Sequence, residues 1–182
     1  MRLEDEQYEE IKQTVIDTFE EYDVRCVPIS AFEMAIKMGI KVVPYSAMKG
    51  RVQESAMKFS KDGYSTEINN EWTIYYNDSC SSYGRINNTI MHEIGHYAMG
   101  HTEEGDEKEK ETEANFFAKY ALAPPPLIHN MSCPINPDTI MNTFDISHQA
   151  AVNAFDYYKK WLKYGESDYT DYETKMLELF DL

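Results

Sequence analysis

A histidine-rich segment near the middle of the chain, "TIMHEIGHYAMGH" at residues 89–101, restricts the structure more than any other. Its apolar residues Ile90 and Ile94 recur at the spacing of an amphipathic helix. Residues four apart on a helix differ by only about 40° around the axis, so His92 and His96 face the same side. The segment is therefore predicted to be a core helix that presents two imidazoles to a cleft.

Glu93 directly follows the first of these histidines. Its carboxylate is expected beside the histidine face, within reach of water at a metal ion but not bound to the ion itself. This is the general-base position of H-E-x-x-H metallohydrolases, so the pattern predicts His92 and His96 as metal ligands and Glu93 as catalytic base. The alternative is a hydrogen-bonded, partly buried histidine pair with Glu93 in solvent.

His101 is a further histidine at the end of the same segment. A catalytic zinc ion takes three protein ligands and keeps one position open for water. Metzincins take the third ligand from a histidine that would be residue 102 in this chain. We therefore interpret His101 as a residue that supports the ligands, faces the substrate or ends the helix.

In gluzincins, the third ligand is a glutamate from the helix that follows the H-E-x-x-H helix. The candidates on that helix are Glu107, Glu109, Glu111 and Glu113. The apolar residues at helical spacing after the last of them are Phe116, Phe117 and Tyr120. Glu113 is therefore predicted to head a stripe that faces the core, where a carboxylate needs a cation, and it is the expected third ligand. The alternative is that Glu113 is an acid favoured by the helix dipole.

The composition is that of a folded, acidic protein. Its 182 residues fit one domain, and 42% of them are hydrophobic. The net charge of −15 argues against binding to nucleic acid and favours a basic protein partner. The sequence has no apolar run as long as a signal peptide or a membrane helix, and its three cysteines show no metal-binding or disulfide pattern. We therefore expect a cytoplasmic protein without membrane contact.

The order of predicted elements indicates an α+β fold, mostly helical, with a small antiparallel sheet of about three strands. Apolar spacing predicts an amphipathic helix at 3–22 and a short helix capped by Ser30. A strand at 40–45 follows, and then a hairpin of strands 64–68 and 72–76. The remaining predicted helices lie at about 86–99, 108–122, 136–143, 147–163 and from 168 onward. We expect strand 72–76 to lie at the sheet edge, where an extended substrate can add to it.

Three segments, "WTIYYND", "HEIGHYAMGH" and "ETEANFFAKYALAP", together resemble the ImmA/IrrE family of cytosolic zinc metallopeptidases. The residues that agree with the family pattern E-x-E-A-N-x-F-A-x-x-L-L-x-P are Glu111, Glu113, Ala114, Asn115, Phe117, Ala118, Leu122 and Pro124. Ala121 departs from its leucine, which alters packing but not chemistry. The resemblance covers about residues 24–155 and suggests a metallopeptidase domain at 24–165, after a helix at 1–23 and before a helical tail at 166–182.

The resemblance implies a zincin-like active-site helix and one zinc ion held by His92, His96 and Glu113, with Glu93 as the base. It leaves open which side chain stabilises the oxyanion of the substrate or supports the ligands. The candidates are His101, Tyr97, Arg85, Asn115, Tyr83 and His148.

Members of this family cleave or otherwise inactivate repressor-type transcription factors, often in phage, mobile-element or stress circuits. The resemblance therefore implies a zinc-dependent endopeptidase that acts on a DNA-binding repressor and does not itself bind nucleic acid. The alternatives are a binding module that keeps the fold and acts stoichiometrically, and a toxin–antitoxin partner.

Overall fold

The computed structural model describes residues 2–80, 82–102, 104–165 and 168–182. Its helices are α1 (Asp5–Glu21), α2 (Ala31–Lys37), α3 (Arg51–Phe59), α4 (Tyr83–Ala98), α5 (Glu107–Leu122), α6 (Pro125–His129), α7 (Pro137–Phe144), α8 (His148–Tyr164) and α9 (Asp171–Leu179). Its strands are β1 (Lys41–Pro44), β2 (Gly63–Ile68) and β3 (Glu71–Tyr76). The predicted α+β fold is confirmed.

The sheet has the strand order β1-β3-β2. Strands β2 and β3 form the predicted antiparallel hairpin, and Asn69 and Asn70 connect them with φ angles of 54° and 63°. Such left-handed angles at both residues are typical of the two-residue turns that match strand twist. Strand β1, however, runs parallel to β3. The prediction of an antiparallel sheet is therefore wrong for strands β1 and β3, and the sheet is mixed.

The central position of β3 corrects a second expectation. This strand pairs with β1 on one side and β2 on the other, so it is not the sheet edge predicted from the sequence. The chain passes through α3 after β1 and forms the hairpin before β3 returns beside β1. The edge strand on the hairpin side is consequently β2, whose backbone pairs with β3 alone among the described strands.

One hydrophobic core extends from the first helix to the last. It includes Ile11 and Phe19 of α1, Ile90 of α4, Phe117 of α5 and Met176 of α9, each fully or almost fully buried. Helix α1 packs on α5, and α9 packs on α1 and α6. The predicted terminal segments 1–23 and 166–182 therefore contribute described residues to the same core as the predicted domain at 24–165.

Helix α4 is fixed near its N-terminal end by a buried asparagine. The Asn87 Oδ1 atom accepts a hydrogen bond from the backbone N–H of Ala31 at 2.7 Å, and its Nδ2 donates to the carbonyl of Ile29 at 2.9 Å. The predicted cap Ser30 lies between these partners and accepts from the backbone N–H of Glu33 at 3.2 Å. The histidine-bearing helix and the start of α2 are thus joined by satisfied polar groups, which holds α4 in place.

Within the described ranges, none of the helices has the length and hydrophobicity needed to cross a membrane. Cys26, Cys80 and Cys133 are free thiols.

Candidate metal centre

His92 and His96 lie one turn apart on α4 and point their Nε2 atoms toward each other, 3.1 Å apart. Glu111, in the second turn of α5, completes the group from the neighbouring helix. Its two carboxylate oxygens lie 3.5 Å from Nε2 of His92 and 3.3 Å from Nε2 of His96. Donor atoms of three residues from two helices therefore lie within 4.8 Å of one another.

The separations of these atoms suit a tetrahedral metal ion. Donor atoms about 2.0–2.1 Å from a zinc ion lie roughly 3.3 Å from one another at tetrahedral angles. The two Nε2 atoms are 3.1 Å apart, and the nearest Glu111 oxygen is 3.5 Å from Nε2 of His92 and, through the other oxygen, 3.3 Å from Nε2 of His96. Two imidazole nitrogens and a carboxylate oxygen are also a donor set that zinc prefers. The residues present therefore fit a metal ion with one coordination position left for water or substrate.

Close packing of α4 against α5 sets these distances. Gly95 faces α5, and a Cβ atom at this position would lie 3.2 Å from Phe117 and 3.3 Å from the Cα of Ala114. A larger residue would increase the helix separation or displace these neighbours. The glycine of the H-E-x-G-H sequence thus allows α5 to approach α4 closely enough for Glu111 to reach the histidines.

The glutamate that lies beside the two histidines is not the one expected from the sequence. The structure places Glu111 beside His92 and His96, whereas the Glu113 carboxylate lies 2.9 Å from Nε2 of His101. Two residues along a helix are separated by about 200° around its axis, so Glu111 and Glu113 point to nearly opposite sides. The apolar stripe correctly indicated that Glu113 faces inward. The residue that lies beside the two mostly buried histidines is, however, Glu111, whose side chain is 48% exposed.

Glu93 is buried, not solvated, with only 7% of its surface exposed. Burial raises the pKa of its carboxyl group to about 7, and the nearby negative charge of Glu111 acts in the same direction. The Ser65 hydroxyl of β2 donates a hydrogen bond to Glu93 Oε2 at 2.7 Å, which opposes the rise in pKa. Glu93 therefore has the protonation range of a group that can exchange a proton near neutral pH.

The environment of the two histidines favours the neutral form of each imidazole, which is the form that can bind a metal ion. Burial, together with the proximity of other histidines, lowers the pKa of both His92 and His96 to about 4, although the carboxylate of Glu111 opposes this shift at His96. Only the neutral imidazole has a lone pair for a metal ion. At pH 7 both side chains are consequently available as ligands without the loss of a proton.

Two of the expected supporting residues contact residues of the convergent group directly. Nδ1 of His101 lies 2.8 Å from Nδ1 of His96. The side-chain amide of Asn115 donates to the backbone carbonyl of Glu111 at 2.5 Å, one helical turn away. Each therefore adjoins a residue of the convergent group.

The other expected residues have partners outside this group. The Tyr97 ring packs edge-to-face on Trp72 with centroids 5.3 Å apart. The guanidinium of Arg85 pairs with the Asp62 carboxylate at 2.5 Å. Neither contact assigns these side chains a role in stabilising an oxyanion.

The remaining two candidates lie on the surface. Tyr83 is 47% exposed and stacks on Phe32, with ring centroids 6.3 Å apart. His148 lies 3.9 Å from the carboxylate of Asp138, and both side chains are largely exposed. Their roles as oxyanion donors stay predictions from the sequence.

Sequence reasoning missed two residues that contact the site. Ser65 lies on a strand and carries no motif, so only the packing of β2 against α4 reveals its bond to Glu93. Gln7 of α1 donates from Nε2 to a carboxylate oxygen of Glu113, at 3.3 Å, across 106 residues of sequence. No local pattern could have indicated either contact.

Two histidines one turn apart, a glutamate from the next helix and a buried glutamate beside them define a candidate centre of the H-E-x-x-H metallohydrolase class. Residues 37–156, more than half of the chain, match the model of peptidase family M78, described as the IrrE N-terminal-like domain. The chain therefore belongs to this metallopeptidase family, which confirms the resemblance seen in the sequence. No curated protein matches the chain in sequence. Helices α1 and α9 lie outside the matched residues.

Proposed function

We propose that this protein is a zinc-dependent endopeptidase in which His92, His96 and Glu111 hold one zinc ion and Glu93 is the catalytic base. The observation that carries the proposal is the convergence of donor atoms from His92, His96 and Glu111, within 4.8 Å of one another, beside the buried carboxyl group of Glu93. When bound, zinc supplies a Lewis acid that polarises the substrate carbonyl and acidifies water.

Glu93 would transfer the proton in the reaction. Its Oε2 atom accepts from Ser65, so Oε1 is the atom available to take a proton from the attacking water. The water oxygen bonds to the scissile carbonyl carbon, the C–N bond breaks, and the proton passes from Glu93 to the leaving nitrogen. A bound cation would favour the charged carboxylate and so lower the pKa of Glu93, which would leave the group deprotonated and able to accept a proton at neutral pH.

The edge strand β2 is the proposed binding site for the substrate backbone. Ser65 lies on this strand and contacts Glu93, so a peptide paired with β2 would run past the proposed base. Addition of an extended segment to a sheet edge aligns its backbone through main-chain hydrogen bonds. This arrangement replaces the β3 edge that the sequence suggested.

The proposed substrate is a DNA-binding repressor in the cytoplasm. The family resemblance supports this choice, and so does the net charge of −15, since a repressor carries basic residues for its DNA. Opposite charge accelerates the encounter of two proteins. The enzyme itself is expected to bind neither nucleic acid nor membrane.

The test is cleavage of repressors encoded beside the gene, with the zinc-loaded protein at substoichiometric concentration and fragments identified by mass spectrometry. We expect fragments from one of them, none with chelator, and none with Glu93→Gln, which should still bind zinc. Equal cleavage by the parent and Glu93→Gln would refute the role of Glu93. Inactivation of the repressor only at equimolar concentration and without fragments would refute the peptidase proposal and favour a binding module.

A further inference from the structure

A chain of hydrogen bonds connects the proposed metal ligand His96 to the N-terminal helix α1. Nδ1 of His96 lies 2.8 Å from Nδ1 of His101, and Nε2 of His101 lies 2.9 Å from a carboxylate oxygen of Glu113. The other oxygen of Glu113 accepts from Nε2 of Gln7 at 3.3 Å. Gln7 also donates to the carboxylate of Glu109 at 2.6 Å. The chain thus joins α1, the end of α4 and α5.

The direction of these bonds follows from the chemistry of the groups. The carboxylate of Glu113 has no proton to donate, so it accepts from Nε2–H of His101. A neutral His101 with its proton on Nε2 has a bare Nδ1, which accepts from Nδ1–H of His96. This direction of bonding would put the proton of His96 on Nδ1 and leave the lone pair of its Nε2, which lies beside His92 and Glu111, free for a metal ion.

The burial of its side chains shows that this chain of hydrogen bonds belongs to the folded interior. The His101 and Glu113 side chains are only 9% and 15% exposed. Polar groups so far from water require partners, and each finds one within the chain. The helix dipole does not explain Glu113, because the seventh residue of α5 lies beyond the first turn, where that effect is concentrated.

We infer that His101, Glu113 and Gln7 are positioning residues that hold His96 as its Nδ1–H tautomer, so that Nε2 is ready to bind a metal ion. The inference rests on the proposed metal binding by His92, His96 and Glu111. It makes α1, which lies outside the family match, part of the support of the metal centre. Histidine ligands are commonly fixed by such outer hydrogen bonds, whose loss costs about 10–100-fold in metal affinity.

The first test is two-bond ¹H–¹⁵N NMR, which distinguishes the tautomers of neutral histidines. In the chelator-treated parent protein at neutral pH we expect the Nδ1–H form for His96 and the Nε2–H form for His101. In Glu113→Ala the preference of His101 should be reduced. A His96 with its proton on Nε2 in the parent protein would overturn the inference, whatever the variants do.

The second test is zinc affinity by competition with a chelator. We expect a loss of about 10–100-fold for Glu113→Ala, a smaller loss for Gln7→Ala, and near-parent affinity for Glu113→Gln, whose amide oxygen can still accept from His101. Glu107→Ala is the matched control, because that exposed carboxylate on the same helix pairs only with Lys110 among the described residues.

The outcomes separate this inference from the proposed function. Parent-like zinc affinity in a folded Glu113→Ala protein would refute the positioning role while leaving the metallopeptidase proposal intact. Failure of the parent protein to bind zinc would refute the proposed function. If Glu113→Ala does not fold, two other measurements test the inference: the zinc affinity of Glu113→Gln and the histidine tautomers of the parent protein. A loss of zinc affinity as large as about 10-fold in Glu113→Gln, together with the absence of the expected tautomers, contradicts the inference.

Discussion

At the scale of the residue, Glu93 is the most deeply buried of the four residues proposed for the metal centre. Its pKa of about 7 lies above the ordinary value of 4.5, so the fold favours the protonated form. The resulting stabilisation is fully present below about pH 4.5 and is lost as the pH rises through about 7. The charged carboxylate at pH 8 therefore lowers the stability of the metal-free protein.

We predict that Glu93→Gln raises the free energy of unfolding of the metal-free protein more at pH 8 than at pH 5. The difference between the two pH values should be about 2–3 kcal/mol, because glutamine carries no charge to bury. Urea unfolding of both chelator-treated proteins measures it. His92 and His96 titrate in both proteins, so their contributions cancel in the comparison. Parallel pH dependence of the two proteins would show that Glu93 is not held in its protonated form.

Glu111 and Glu113 are distinguished by a second prediction at this scale. Glu111→Ala removes a donor atom from the convergent group, so zinc affinity should fall at least about 100-fold, further than in Glu113→Ala. Elemental analysis and chelator competition on both variants measure this order. The reverse order would restore Glu113 as the third ligand.

At the scale of the element, the position of α4 depends on a close approach near its N-terminus. A Cβ atom at Gly84 would lie 2.8 Å from the backbone N of Ser147 and 3.1 Å from the carbonyl carbon of Ile146. These are backbone atoms at the start of α8, and they cannot move without moving that helix. Gly84 therefore links the histidine helix to the C-terminal half of the molecule.

We predict that Gly84→Ala destabilises the protein by about 1–3 kcal/mol, although alanine is the better helix former by about 1 kcal/mol. Urea denaturation of parent and variant gives the difference. Zinc affinity of the folded variant should stay close to that of the parent, since His92 lies two turns further along α4. A variant as stable as the parent would mean that α8 adjusts freely, contrary to this contact.

At the scale of the whole molecule, the proposed metal joins two helices of one core. A ligand that binds only the native state at about 1,000 times its dissociation constant stabilises by about 4 kcal/mol. For a protein of this size we predict that zinc raises the melting temperature by about 10 °C. Calorimetry with and without chelator measures the shift, which Glu93→Gln should retain and His92→Ala should lose. An equal shift in His92→Ala would place the zinc elsewhere.

The net charge of −15 leads to a prediction about partners. Cleavage of a basic repressor should slow as salt is raised from about 0.05 to 0.5 M, because screening weakens long-range attraction. The effect should appear in kcat/KM and not in kcat. An uncharged peptide with the same cleavage site serves as the control. Equal salt dependence of both substrates would show that charge does not guide the encounter.

The sequence by itself determined the elements whose signals are local. Apolar spacing predicted α1 and α4, two β-type runs separated by a short polar segment predicted the hairpin, and His92, Glu93 and His96 lie on one short segment of α4. Helical periodicity fixes which side chains share a face, so the histidine pair and its adjacent carboxyl group followed without knowledge of the fold.

The tertiary structure alone decided which residues from other elements reach these histidines. Whether Glu111 or Glu113 meets them depends on the rotation of α5 against α4, and the apolar stripe showed only which side of α5 is buried. The strand order and the contact of Gln7 with Glu113 likewise depend on distant segments. Local periodicity specifies the faces of single elements, whereas packing of the whole core specifies how those faces meet.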